Sequence, residues 1–239
     1  MKQAAAFALV RGANDVASAV ALALARTGFA VLLVEAPAPA ICRCGQSFAN
    51  AAFDGAATLE GVTALLIDDP AAWARSATAG VIAMTVRPLE DFVAFFEASL
   101  WVDGRMRKRA VPEDQRGRAP LVIGLGPNFI AGEPKPIGGY GRERYVYAPR
   151  AGVFRTRHRI GQAVAEGEIV ARIDALPIAA PKSGILRGLI HDGVRVEPGT
   201  KSVEVVPAGA SVFGVSERAA AIACGVIAAL RLRGCLPAA

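Results

Sequence analysis

The chain has 239 residues, 53% of them apolar and 20% charged, with 27 Lys and Arg against 21 Asp and Glu. That length suits one large domain or two small ones, and so apolar a composition excludes a disordered chain. No apolar run reaches the roughly 18 residues of a membrane span, and no zinc finger, aromatic RNA motif or basic helix speaks for nucleic acid.

The net charge of +6 is mostly arginine, which suits an anionic small-molecule ligand because guanidinium binds oxyanions in a bidentate way. The first residues resemble a signal peptide, but Arg11 and Asp15 interrupt the apolar stretch, and a cytoplasmic chain is expected. Four cysteines, Cys42, Cys44, Cys224 and Cys235, do not make a disulfide framework at this size.

In chain order, Ala5 to Val10 reads as a buried strand. Residues 11–15 break it, and Val16 to Ala25 suits a helix that Gly28 stops. Phe29 to Val34 is a second strand closed by Glu35. This is the opening of a Rossmann-type unit. The Gly-x-Gly-x-x-Gly fingerprint is reduced here to Gly12-x-Asn14-x-x-Ala17. Asn14 adds bulk where a pyrophosphate would approach, and Asp15 would repel it.

Phe53-Asp54-Gly55 with Leu59 to Ile67 reads as a hairpin-like insertion around Glu60-Gly61. Val81 to Val86 is a strand, Leu89 to Ala98 a helix opened by Pro88, and Leu100 to Val102 and Leu121 to Gly124 are further strands. Strands alternating with helices predict a mostly parallel sheet. Two loops carry candidate chemistry: the basic run Arg105 to Arg109, and the Gly124-x-Gly126-Pro127-Asn128-Phe129 loop that follows a strand. The Cys42-Arg43-Cys44 pair sits in the loop after the second strand, where the arginine would lower a thiol's pKa.

Between Ala148 and Val205 the sequence repeats itself. Ala148-Pro149 returns as Ala180-Pro181, Gly152 as Gly184, Gly161 as Gly193 and Gly167 as Gly199. Two short β repeats cannot each bury a face alone, so they are expected to intertwine. The pattern resembles the barrel-sandwich hybrid of biotinyl and lipoyl carrier domains. The joining hairpin, Asp174 to Ile178, carries no lysine, so no biotin or lipoyl attachment is expected. Ser216 then caps an apolar helix running to Leu230.

Together these segments resemble the accessory proteins of the selenium-dependent molybdenum hydroxylase system. The resemblance rests on Val10-Arg11-Gly12 with Asp15, Ser47-Phe48 leading to Gly55, Leu121 to Pro127, Ile137 to Gly141 with Glu143-Arg144, and Gly184 to Ile190 with Asp192-Gly193. That family looks related to the Rossmann domain of xanthine dehydrogenase accessory proteins. The resemblance implies maturation of a client molybdenum enzyme, with a molybdopterin-type cofactor or a nucleotide as ligand. The chain departs from the family at Asn14, at Cys42-Arg43-Cys44 and in a shortened segment before Gly138.

The expected fold class is therefore α/β: a Rossmann-like, mostly parallel sheet domain over 1–144, a small all-β barrel-sandwich hybrid over 145–208, and a C-terminal helix in 209–239 that packs back on the first domain. The candidate cofactor-binding residues are Gly12, Asn14, Asp15, Glu35, Arg43, Arg105, Arg107, Gly124, Gly126 and Asn128. No metal site and no catalytic pair can be named. A homo-oligomer is compatible with the sequence. Two alternatives stay open: a nucleotide-dependent oxidoreductase using Glu35 on a ribose, and a non-catalytic scaffold with a decayed nucleotide site.

Overall fold

The computed structural model describes residues 6–93, 97–107, 113–115, 117–126 and 142–237. It divides into two compact units, one of Met1–Pro37, Ser47–Ala131 and Val215–Ala239, the other of Ala38–Gln46 and Gly132–Gly214.

In the first unit the short apolar runs become strands β1 (Phe7–Arg11) and β2 (Ala30–Val34), joined by helix α1 (Asp15–Arg26). Asn14 starts that helix, and Gly28 follows it with a φ of 96°. Helix α2 (Ala51–Asp54) ends at Gly55, whose left-handed backbone closes the turn. β3 (Ala56–Leu59) and β4 (Val62–Leu66) form a hairpin. Its two turn residues, Glu60 and Gly61, both have positive φ, which matches the right-handed twist of the strands they join. Helix α3 (Pro70–Ser76) is capped by Asp69, and β5 (Ile82–Thr85), β6 (Leu100–Asp103) and β7 (Leu121–Gly124) complete the sheet.

The strand order is β3-β4-β5-β2-β1-β6-β7. From β1 the chain builds outward first through β2 and later through β6, so the order reverses between β1 and β6. One face carries a core of Leu9, Leu32, Ala83, Phe92, Ala98 and Trp101. Against the sheet lies α1, buried nearly all round, and α4 (Glu217–Leu232) packs on α1. Both helices are rich in alanine, which permits close approach. Ser18 of α1 is fully buried yet satisfied: its hydroxyl donates to the Ala13 carbonyl and accepts from Phe48 N.

The second unit contains β8 (Tyr145–Tyr147), β9 (Gly152–Arg155), β10 (Ala163–Val164), β11 (Ile169–Ile173), β12 (Leu176–Ala179), β13 (Gly184–Leu189), β14 (Arg195–Val196) and β15 (Lys201–Val206). The repeat is visible in it, since β9, β10 and β11 recur as β13, β14 and β15. The copies exchange partners: β9 pairs with β14, and β10 with β13. Phe154, Ile173, Leu186, Val203 and Val205 fill the interior.

The expected fold class is corrected by this arrangement. The first sheet is mixed, because β3 runs antiparallel to β4. The second unit shows no clear barrel-sandwich hybrid. It is two four-stranded antiparallel sheets, ordered β10-β13-β15-β8 and β12-β11-β9-β14. β8 from outside the repeat and β12 from the joining hairpin extend what the repeat alone would build. The chain is thus mixed α/β, with four α-helices among the described residues.

The helix expected over Leu89 to Ala98 is also corrected. Among the described residues a 3-10 turn at Leu89–Asp91 stands there instead of an α-helix, and Phe92 and Ala98 drop into the core. Residues 94–96 lie outside the described residues.

Candidate functional site

The C-terminal ends of β1, β6 and β7 meet where the strand order reverses, the place where open parallel sheets leave a crevice for ligands. Arg11 ends β1 in register with Asp103 of β6, and Asp103 in turn is in register with Gly124 of β7. Gly12 follows with a φ of 101°, and a Cβ there would come within 3.2 Å of the Arg105 backbone. A Cβ on Gly104 would come within 2.7 Å of the Ala17 Cβ. Both glycines are required by this close approach between the β1 turn and the β6 turn.

Asn14 was read as a blemish in a glycine fingerprint, but it has a definite role. Its backbone is extended, and its Oδ1 accepts from Val16 N at 3.0 Å and Ala17 N at 3.1 Å. Its Nδ2 donates to the Gly104 carbonyl at 2.7 Å. The helix donors that would hold a pyrophosphate are therefore taken by the N-cap itself. Asp15 lies in the first helical turn. Glu35 accepts from Ala13 N at 2.7 Å and from Ala36 N at 2.8 Å. Burial pushes its carboxyl up, against the pull of those bonds.

A second group gathers on the same strand ends. Arg105 grips Asp103 with Nε at 2.9 Å and Nη2 at 2.6 Å. Gln115 donates to the same carboxylate at 2.5 Å and accepts from the Trp101 indole. Burial alone would raise the Asp103 carboxyl, but the bonds from Arg105 and Gln115 more than offset it and hold the value at about 2. Around Glu113 three guanidiniums converge: Arg11 at 2.6 Å, Arg107 at 3.2 Å and Arg105 at 3.3 Å. The bonds from Arg11, then Arg105, hold that carboxyl at about 2.

Met106, between the two arginines, has a φ of 55°. A non-glycine residue in this region carries local strain, and it turns the chain so that Arg105 and Arg107 share one side. Arg107 Nη2 is buried with no partner among the described residues.

Both depressed carboxyls act in the same direction. Their folded values lie below the ordinary carboxylate range, so their pairing stabilises the fold above about pH 4 and is lost as pH falls through about 2. Glu35, shifted upward, has the opposite dependence. The thermal midpoint is therefore expected to fall between about pH 4 and about pH 2, with a shallower fall in Glu113→Gln. Equal slopes in the two proteins would remove Glu113 from this account.

Of the remaining expected residues, Gly124 ends β7, and Gly126 has open space where a Cβ would stand. Asn128 lies outside the described residues, as do Pro127, Phe129, Lys108, Arg109 and residues 131–141. Arg43 belongs to the second unit. There it donates to Glu204 with Nε at 2.8 Å and Nη2 at 3.1 Å.

Its neighbours Cys42 and Cys44 are buried, Cys44 Sγ donates to the Ile41 carbonyl at 3.0 Å, and burial, with Glu204 nearby, pushes the Cys42 thiol well above its ordinary value. The pull of Arg43 on the Cys42 thiol is outweighed by burial and by Glu204, to which Arg43 is bound. Cys224 and Cys235 are exposed, and Cys224 lines an open cleft of about 450 Å³ between α1 and α4. Iodoacetamide on the native protein is expected to label Cys224 and Cys235 and spare Cys42 and Cys44 until denaturant is added, as read by peptide mass. Native labelling of Cys42 would overturn this.

Among the described residues no group of three or more His, Cys, Asp or Glu is placed to hold a metal, and no helix is long and apolar enough to cross a membrane.

No family model matches the chain. It is 34% identical over 255 residues to the uncharacterized protein YqeB of Escherichia coli (strain K12), covering 94% of this chain and 47% of that protein. The chain thus spans about half the length of the curated relative it matches.

Similar solved structures include the ectoine utilization protein EutE (DoeB) from Ruegeria pomeroyi, 15% identical over 75% of this chain and 60% of that one, with a TM-score of 0.26. A succinylglutamate desuccinylase/aspartoacylase from Rhodobacter sphaeroides is 19% identical over 76% and 59%, with a TM-score of 0.28. A succinylglutamate desuccinylase from Silicibacter sp. TM1040 is 12% identical over 85% of each chain, with a TM-score of 0.27. At these scores the overlap is too slight to transfer a fold or an activity.

The resemblance to molybdenum hydroxylase accessory proteins is corrected here, and with it the maturation role, the client molybdenum enzyme and the molybdopterin-type cofactor. The proteins that match carry other names, and none of those names points to molybdenum. The nucleotide-dependent oxidoreductase alternative falls with it on geometry. Asn14 fills the phosphate position, and both Glu35 oxygens are engaged by backbone N–H groups instead of a ribose.

Proposed function

We propose that this chain is a binding protein for a small anionic molecule, held at the C-terminal edge of the seven-stranded sheet by Arg11, Arg105 and Arg107. One observation carries this reading: three guanidiniums converge on one carboxylate at the strand ends where the sheet order reverses. Asp103 and Gln115 orient Arg105, and Gly124 and Gly126 form the adjoining wall. Gly12, Asn14, Asp15 and Glu35 build the turn beside it and do not bind. A cytoplasmic location is part of this reading, and it is supported by a cysteine pattern that does not resemble a disulfide framework.

The test is calorimetric titration of the whole chain with small carboxylates and inorganic phosphate. Arg107→Ala removes a charged hydrogen-bond donor whose printed partner is the exposed Glu113. It is expected to weaken binding by about ten- to a hundredfold, from a loss of roughly 1.5–3 kcal/mol. Unchanged affinity in Arg107→Ala and Arg105→Ala alike would sink the site.

A further inference from the structure

Glu113 is held far more strongly than its position requires. Its side chain is 53% exposed, so it anchors no core. Both carboxylate oxygens are nevertheless engaged. Oε2 accepts from Arg11 at 2.6 Å and Arg105 at 3.3 Å, and Oε1 accepts from Arg107 at 3.2 Å and Arg105 at 3.5 Å. Two oxygens flanked by guanidinium forks is the geometry by which proteins recognise a planar carboxylate.

The central arginine, Arg105, does not depend on Glu113 for its placement. Arg105 is fixed by Asp103, which is fixed by Gln115, which is fixed by Trp101. Arg11 ends a buried strand, and the Met106 backbone sets Arg107 beside Arg105. Glu113 also leaves the cradle incompletely filled, since Arg107 Nη2 is buried without a partner among the described residues.

We infer that Glu113 is a resident stand-in for the ligand's carboxylate, so that the ligand is a small carboxylic acid and binds by displacing this side chain. The inference rests on the anion site proposed above and adds its ligand class and its built-in competitor. Displacement exchanges one carboxylate for another in a cradle that is already formed. The protein therefore carries its own inhibitor, and only ligands that out-compete a tethered carboxylate are bound. A ligand with an acceptor for Arg107 Nη2 has the advantage that Glu113 lacks.

The experiment titrates wild type and Glu113→Gln with glutarate and, separately, with inorganic phosphate. Circular dichroism checks that both proteins are folded. Glu113→Gln removes the competing charge and keeps the side chain's shape. Its glutarate affinity is expected to exceed the wild type's by about tenfold, the factor for a site that its own occupant fills about nine-tenths of the time. Glutarate is expected to bind the variant more tightly than phosphate does.

Equal glutarate affinity in the two proteins would overturn the stand-in while leaving the anion site intact. Tighter binding of phosphate than of glutarate in the variant would overturn the ligand class. No binding of either probe to either protein would overturn this inference and the site together.

Discussion

Replacing Glu204 by leucine is expected to destabilise the second unit by about 3 kcal/mol or more, the usual cost of breaking a buried charge cluster by removing one member. Glu204 on β15 has no exposed surface. Arg43 reaches it with two bonds, Arg144 Nε lies at 3.2 Å and Arg187 Nη1 at 4.0 Å. Burial raises its carboxyl, but the bonds and charge of Arg43 more than offset this, so it stays ionised. Arg144 and Arg187 are themselves buried, and Arg187 also donates to Gln46 at 3.0 Å. Leucine would leave these guanidiniums without their shared carboxylate. Glu204→Gln keeps an acceptor oxygen and should cost less. Urea denaturation followed by circular dichroism reads both, and a loss below about 1 kcal/mol in Glu204→Leu would show that the arginines are held by other means.

Trp101→Ala is expected to cost the first unit about 3–5 kcal/mol, the range for emptying a fully packed aromatic site. Trp101 is 1% exposed in the sheet core beside Leu9, Leu32 and Phe92. Trp101→Phe separates packing from positioning. The ring still fills most of the volume, but Gln115 loses its indole donor and its hold on Asp103 loosens. That variant should keep a cooperative transition, with a loss of about 1–3 kcal/mol for the orphaned amide, and should bind anions more weakly than wild type. Full anion affinity in Trp101→Phe would show that Arg105 is set without the Trp101–Gln115–Asp103 chain.

The elements that could be read in the sequence are those whose signal is local. The run before Arg11 and the alanine-rich stretch after Asn14 are consecutive residues, and they fold into β1 and α1. The Glu60-Gly61 turn identifies itself by composition, and the spacing of the repeat reappears in the strands of the second unit.

The site was legible only in part, because its logic is not local. Arg105 and Arg107 stood out as a basic run, but Arg11 and Glu113 are 102 positions apart and share no motif. Arg43 looked like a partner for thiols or for phosphate, whereas 161 positions separate it from the carboxylate that holds it. Asn14 did carry a readable signal, as a favoured N-cap residue opening a helix, which the glycine template obscured. In the stretch after Pro88, where a helix is expected, the described apolar residues Phe92 and Ala98 are drawn individually into the core.

The partner exchange between the two repeats governs how the second unit can be made. β9 waits for β14 and β8 waits for β15, so one sheet is incomplete until the chain has been synthesised to Val196 and the other until Val206. On the ribosome the first repeat can pair β9, β11 and β12, but one edge of β9 and the whole of β10 emerge without partners. Pairings this distant in sequence form slowly, and open edges attract other chains. Each repeat is unfinished without the other.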